Sequence, residues 1–183
     1  MDDLKELRKA LLAHQIDRNF LEESLGKRCC EIASESLENG CYGVGAILVD
    51  KNHNILIEAG NEIFLEGFHS SRHAEMLVID RFELQYPQYG DRSGLTIMVS
   101  LEPCPMCLTR LLLAGIGEIV YLANDYAGGM ASRINQMPPA WINLASLQNC
   151  RLAKVSEPLV SLATRLASCH LSELRSRLLT NIR

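Results

Sequence analysis

A chain of 183 residues with 48% hydrophobic and 22% charged side chains can bury one substantial core, and its 12 glycines and 6 prolines are too few for a fibre or a low-complexity tail. Against 22 Asp and Glu stand 18 Lys and Arg, a formal net charge of −4 that sets up no global field for polyanions and leaves only a local basic patch open. The longest apolar run, Val44 to Val49, falls far short of the roughly 20 residues that span a bilayer. The start MDDLKELRKA lacks the basic-then-apolar order of an export signal, so a cytoplasmic protein with no membrane contact is expected.

The first forty residues read as two consecutive helices. Leu4, Leu7 and Leu11 form one stripe, and Phe20, Leu21, Leu25, Cys29, Ile32 and Leu37 continue a similar period, with a bend near His14 to Asp17 and a stop at Gly40. Tyr42 to Val49 and Asn54 to Ala59 read as a β-hairpin around a polar loop. Gly60 to Arg72 is a loop leading to a helix from about His73 through Phe82. A strand over Leu95 to Val99 is followed by Ser100 to Pro103 and a helix with Pro105 in its first position, where a missing N–H costs nothing. Gly115 and Gly117 stop that helix, and Ile119 to Leu122 is a short strand. Asn124 to Pro139 is expected as a long loop with a short helical piece, then a weak strand at Arg151 to Val155 and one amphipathic helix from about Pro158 to Leu179. Short buried strands between apolar helices indicate an α/β sandwich. One domain is expected over 1–183, with an extra N-terminal helical segment at about 1–16.

Seven cysteines in a chain without an export signal argue for free thiols. Cys29, Cys41, Cys150 and Cys169 sit among apolar neighbours as inert packing residues, with Cys30 a less secure fifth. Cys104 and Cys107 stand apart, spaced by two residues and flanked by prolines in SLEPCPMCL. With His73 from SSRHAEMLV they make one imidazole and two thiolates, a three-ligand set for zinc that leaves a fourth position for water, as in catalytic sites. Zinc lowers the pKa of a bound water from 15.7 towards about 7. Glu75, in the same first helical turn as His73, can handle protons beside the metal without ligating it, and H-x-E with P-C-x-x-C is the signature of zinc deaminases. Such chemistry replaces the amine of an electron-poor ring carbon by water's oxygen. Two alternatives stay open: a dithiol redox pair at Cys104 and Cys107, and a closed structural zinc with Cys41, His69 or Cys150 as fourth ligand.

These residues carry a resemblance. GAILVD, Gly60-Asn61, His73 to Glu75, Ser100 to Cys107 and Ile119 to Tyr121 occur in the order seen in the cytidine and deoxycytidylate deaminase superfamily, especially the branch with guanine, cytosine and tRNA adenosine deaminases. The resemblance covers nearly half the chain. It implies a three-layer, cytidine-deaminase-like α/β fold with a five-stranded mixed sheet, helices on both faces, one zinc per chain at the N-termini of two helices, and a homodimer. It also implies substrate contacts from Asn61, from the backbone N–H of Ala74 or Glu75, from the carbonyl near Ser100 and from Asp125, while Glu102 organises the loop before Cys104.

The net charge and the acidic N-terminal region favour a small nucleobase or nucleoside over the tRNA-editing alternative. The approach EIFLEGFHSSR and the segment from Asp125 to Leu147 depart from the familiar pattern. Phe64, Phe68 and Trp141 are candidates for ring stacking, His69 for the pocket wall, and the terminal helices for a pocket cover or an oligomer interface. A third reading is a catalytically silent zinc-binding interaction protein.

Overall fold

The computed structural model describes residues 2–182, so both ends of the expected 1–183 unit lie outside the described residues. Strands β1 (Gly45–Val49), β2 (Ile55–Gly60), β3 (Thr96–Leu101), β4 (Glu118–Ala123) and β5 (Asn149–Leu152) pair in the order β2-β1-β3-β4-β5. β1 runs antiparallel to β2 and β3, whereas β3, β4 and β5 are mutually parallel neighbours, so the five-stranded sheet is mixed. Helices are α1 (Asp2–Ala13), α2 (Glu23–Glu38), α3 (Ala74–Gln85), α4 (Pro105–Ala114), α5 (Pro139–Ala145), α6 (Glu157–Ser168) and α7 (Leu171–Asn181).

The strict alternation of a strand divides the core into two layers. Ile47, Val49, Met98, Val120 and Leu122 face α1, α2 and α6, while Ala46, Leu48, Ile97, Val99 and Ile119 face α3 and α4. Both faces are covered, which is why these strands are apolar throughout rather than alternating with polar residues. Each buried Ile, Val or Leu contributes roughly 1.5–3 kcal/mol. The expected N-terminal helix packs on α2 and α6 through Leu7 and Leu11. Gly40 (φ 68°) and Gly115 (φ 71°) end α2 and α4 in the left-handed conformation that their sequence positions suggested.

Four boundaries differ from the sequence reading. α2 begins at Glu23, leaving Leu21 85% exposed, because residues 17–20 form a turn in which Asp17 accepts the Asn19 and Phe20 amides. β5 lies at Asn149–Leu152 rather than Arg151 to Val155. Its parallel pairing sets Ile119 opposite Cys150 and Tyr121 opposite Leu152, which sends Val155 into the core and makes Ser156 the N-cap of α6. The loop Asn124 to Pro139 holds its expected short helical piece as a 3-10 helix at Ala131–Gln136, and the difference is α5, which follows it. The single C-terminal helix is two: His170 takes φ 56°, and α7 turns away so that Leu174 packs with Cys41, Ile63 and Phe64.

Candidate metal centre and its cavity

Two strand-to-helix transitions meet at one point. His73 is the N-cap of α3 (φ −76°, ψ 154°) and Cys104 the N-cap of α4 (φ −70°, ψ 169°), each extended while the next residue is helical. Pro105 fits the first position of α4, where its fixed φ is pre-organised for a helix. Cys107 follows one turn on, fully buried, so that one rigid element presents both sulfurs. The Sγ atoms of Cys104 and Cys107 lie 3.8 and 3.6 Å from His73 Nδ1. Tetrahedral zinc with bonds of about 2.3 Å to sulfur and 2.0–2.1 Å to nitrogen sets such atoms about 3.6 Å apart, so this donor set fits zinc.

Electrostatics agree with a cation between them. A hydrogen bond from Cys107, assisted by His73 and opposed by burial, brings the Cys104 thiol down to about 4. The same hydrogen bond, with burial, pushes Cys107 far up, so the pair holds one thiolate and a bound cation would favour the second. Burial works against the charged form of His73, but its hydrogen bond to Cys104 and the charge of Glu75 raise its pKa overall. Glu75, in the first turn of α3 and 4% exposed, has its carboxyl raised above the usual range by burial.

A cavity of about 340 Å³ opens on this centre. His73, Glu75 and Cys104 line one side, Tyr42, Val44, Asn61 and Ile63 a second, Leu101, Glu102, Asp125 and Gly128 a third, and Ala167, Leu171, Arg175 and Leu178 the last. Asn61 is both a turn residue and a wall residue. Its Oδ1 accepts the Ile63 N–H at 3.1 Å, and its own N–H donates to Val44 O. Asp125 borders the cavity while its carboxylate accepts the amides of Ala127 and Gly128. Ala74 and Ser100 are buried beside the centre without lining the cavity, and the Ser100 hydroxyl accepts the Gly45 N–H. Glu102 organises the loop after β4 rather than the one before Cys104: its two oxygens accept the amides of Asp125 and Ser132.

Neither Phe64, Phe68, Trp141 nor His69 lines this cavity. Phe64 packs between Tyr42 and Phe68 in a cluster of its own, and Trp141 packs with the α3 and α4 layer. Cys41 lies in the Phe64 cluster and Cys150 on β5, and among the described residues only His73, Cys104 and Cys107 gather as a ligand group. The sequence reading offered the C-terminal helix as a pocket cover without naming its wall residues, among them Leu171, Arg175 and Leu178, and it did not name Tyr42. The one signal available was the i, i+4, i+7 spacing of the three on α7.

Known proteins decide the family. The model for the cytidine and deoxycytidylate deaminase zinc-binding region matches residues 21–123, more than half of the chain. The chain belongs to the cytidine and deoxycytidylate deaminase family. This family member is 34% identical over 113 residues to a tRNA-specific adenosine deaminase of Bacillus subtilis, which covers 62% of this chain and 68% of that protein. It is 26% identical over 128 residues to a probable cytosine deaminase of Schizosaccharomyces pombe, covering 69% and 73%. Among solved structures, a chain from a study of A-to-I editing by tRNA:A34 deaminases superposes with a TM-score of 0.58 at 25% identity, over 68% of this chain and 93% of that one. A guanine deaminase from Nitrosomonas europaea shares the fold, with a TM-score of 0.62 at 16% identity over 90% and 93% of the two chains. Both matched folds bear out the cytidine-deaminase-like sandwich for this deaminase-family chain. No helix among its described residues is long and apolar enough to cross a membrane.

Proposed function

We propose that this chain is a zinc-dependent hydrolytic deaminase of a small aminated nucleobase or nucleoside with a guanine- or cytosine-type ring, releasing ammonia. The observation that carries the reading is the buried Glu75 carboxyl beside a His73, Cys104 and Cys107 set with zinc-compatible spacing, with Glu75, His73 and Cys104 lining one side of a cavity. In this reading His73, Cys104 and Cys107 hold one zinc, which when bound supplies Lewis acidity and lowers the pKa of a coordinated water towards about 7.

Glu75 carries the proton traffic. Its raised pKa suits a group that accepts a proton from the attacking water, passes it to the ring nitrogen beside the amine-bearing carbon, and returns one to the departing amine. The carbon–nitrogen bond breaks, a carbon–oxygen bond replaces it, and ammonia leaves. Apolar Val44, Ile63, Leu171 and Leu178 shield the ring from bulk water, while Asn61 and Asp125 supply polar contacts to its edge. The test is metal content together with ammonia release from guanine, cytosine, cytidine, adenine and related aminated rings. Zinc-free protein from metal-replete preparations, or zinc-loaded protein inert on the panel, overturns the reading.

Identity of 34% to a tRNA-specific adenosine deaminase supports a second substrate reading, adenosine in an anticodon loop. It predicts inosine in a stem-loop RNA and weak activity on free nucleosides. A silent zinc-binding interaction protein predicts neither. The reading includes a homodimer, supported by Met106 and Leu113 exposed seven residues apart on α4, and sedimentation of the zinc-loaded chain checks it. A cytoplasmic location belongs to the same proposal.

A further inference from the structure

The wall built by α7 has an order that the deamination chemistry leaves unused. Leu171, Arg175 and Leu178 share one helix face, and all three line the cavity. A stripe of leucines there shields a ring from water. A guanidinium in its middle is not needed for that, and among the described residues it is the only Lys or Arg on the cavity wall.

The placement of α7 is fixed from its other side. Leu174 is buried against Cys41, Ile63 and Phe64, and Arg177 stands 4.2 Å over the Phe64 ring while donating to the carbonyl oxygens of Gly40 and Phe64. Arg175 makes no hydrogen bond or ion pair among the described residues. Two carboxylates in the wall are already engaged by backbone amides: Glu102 by Asp125 and Ser132, Asp125 by Ala127 and Gly128. Tyr42 lines the same cavity, where burial raises its phenol and the charge of Arg175 draws it back.

Arg175 also lines an adjoining cavity of about 400 Å³, together with Leu101, Asp125, Tyr126 and Leu171. It therefore stands on the wall shared by the metal-side cavity and a second space. The first cavity alone reaches the range of roughly 300–1,000 Å³ typical of sites that enclose whole small ligands.

We infer that Arg175 binds a phosphate carried by the sugar of the deaminated unit, with the Tyr42 hydroxyl as a second donor, which extends the proposed nucleoside substrate to its nucleotide form. A guanidinium presents a planar fork of donors that matches phosphate oxygens in pairs, and a phosphate at this wall leaves the ring pointing to His73 and Glu75. The inference rests on the deaminase reading. Its phosphate has two sources, a free mononucleotide or a phosphodiester of RNA whose next unit would extend along the second cavity towards Tyr126.

The experiment uses the full, zinc-loaded chain with base, nucleoside, 5′-monophosphate and stem-loop RNA forms of each aminated ring. Turnover is measured as kcat/KM, and binding of the deaminated products is measured separately by calorimetry at two salt concentrations. The expected result is a preference of about tenfold or more for a phosphate-bearing ligand over the nucleoside. That preference collapses towards one in R175Q, returns in part in R175K, falls in Y42F and weakens with salt. A gain confined to the mononucleotide assigns a free nucleotide, and a gain confined to RNA assigns the phosphodiester. Equal affinity for nucleoside, nucleotide and RNA in the parent protein overturns the inference, as does R175Q weakening bare bases and phosphorylated ligands alike. Should R175Q fail to fold, R175K, Y42F and the salt dependence give the same decision. Product binding that depends on phosphate and Arg175 without any ammonia release sinks the deaminase reading and keeps the anion site. Ammonia release indifferent to phosphate does the reverse.

Discussion

A Cβ atom on Gly129 would lie 2.3 Å from the carboxyl carbon of Glu102, so glycine at this position lets the loop after β4 close onto a buried carboxylate. The Glu102 oxygens accept the Asp125 amide at 3.0 Å and the Ser132 amide at 2.7 Å, which fixes the loop that carries two wall residues. Glu102→Ala orphans both amides and is expected to cost about 1–3 kcal/mol, with KM rising more than kcat falls. Gly129→Ala is expected to displace the same carboxylate and lower the melting temperature. Thermal melts and steady-state kinetics check both variants, and an unchanged melting temperature in both would show that the loop holds its place without Glu102.

Metal removal separates the ligand set from the surrounding core. Chelation of the zinc-loaded protein is expected to lower its melting temperature and to make Cys104 reactive towards a thiol reagent ahead of the buried Cys107. Cys107→Ser is expected to retain well under one zinc per chain. Elemental analysis with thiol titration checks this, and full zinc content in Cys107→Ser excludes Cys107 as a ligand.

Glu75 is expected to be dispensable for metal and indispensable for turnover. Glu75→Gln preserves size and removes the titrating carboxyl, so kcat/KM should drop by about 10²–10⁴-fold with zinc content unchanged. A variant that keeps parental turnover refutes the proton-transfer role.

Acid sensitivity has a definite sign at Glu22. Burial raises its pKa, but hydrogen bonds from Arg151 at 2.5 Å and from the Lys154 amide outweigh this and lower it below 4.5. Below that value the unfolded chain takes up the proton before the native state does. The stabilisation is thus present above about pH 4.5 and is lost as pH falls through the native pKa. Because the pair is partly exposed, its worth is about 0.5–1 kcal/mol after solvent screening. Urea melts at pH 7 and pH 3.5 are expected to differ less for Glu22→Gln than for the parent, and an equal difference removes Glu22 from the account.

The sequence by itself determined the candidate metal ligands, the helix starts that carry them and the two-faced sheet. Each of these is a local property: His73 and Glu75 share one helical turn, Cys104 and Cys107 another, and alternation along a strand is set by its own backbone. Glu23 shows where local reading stops. Nothing in its local pattern singles it out, yet it is fully buried, accepting hydrogen bonds from His14, from the Ser156 amide and from the Ser156 hydroxyl. The split at His170, the register of β5 and the cavity wall on α7 likewise depend on contacts between residues more than a hundred positions apart or on pairing with a distant strand. Periodicity says that Leu171, Arg175 and Leu178 share a face. Only the packing of Leu174 and Arg177 against Cys41 and Phe64 decided that this face looks onto the metal centre.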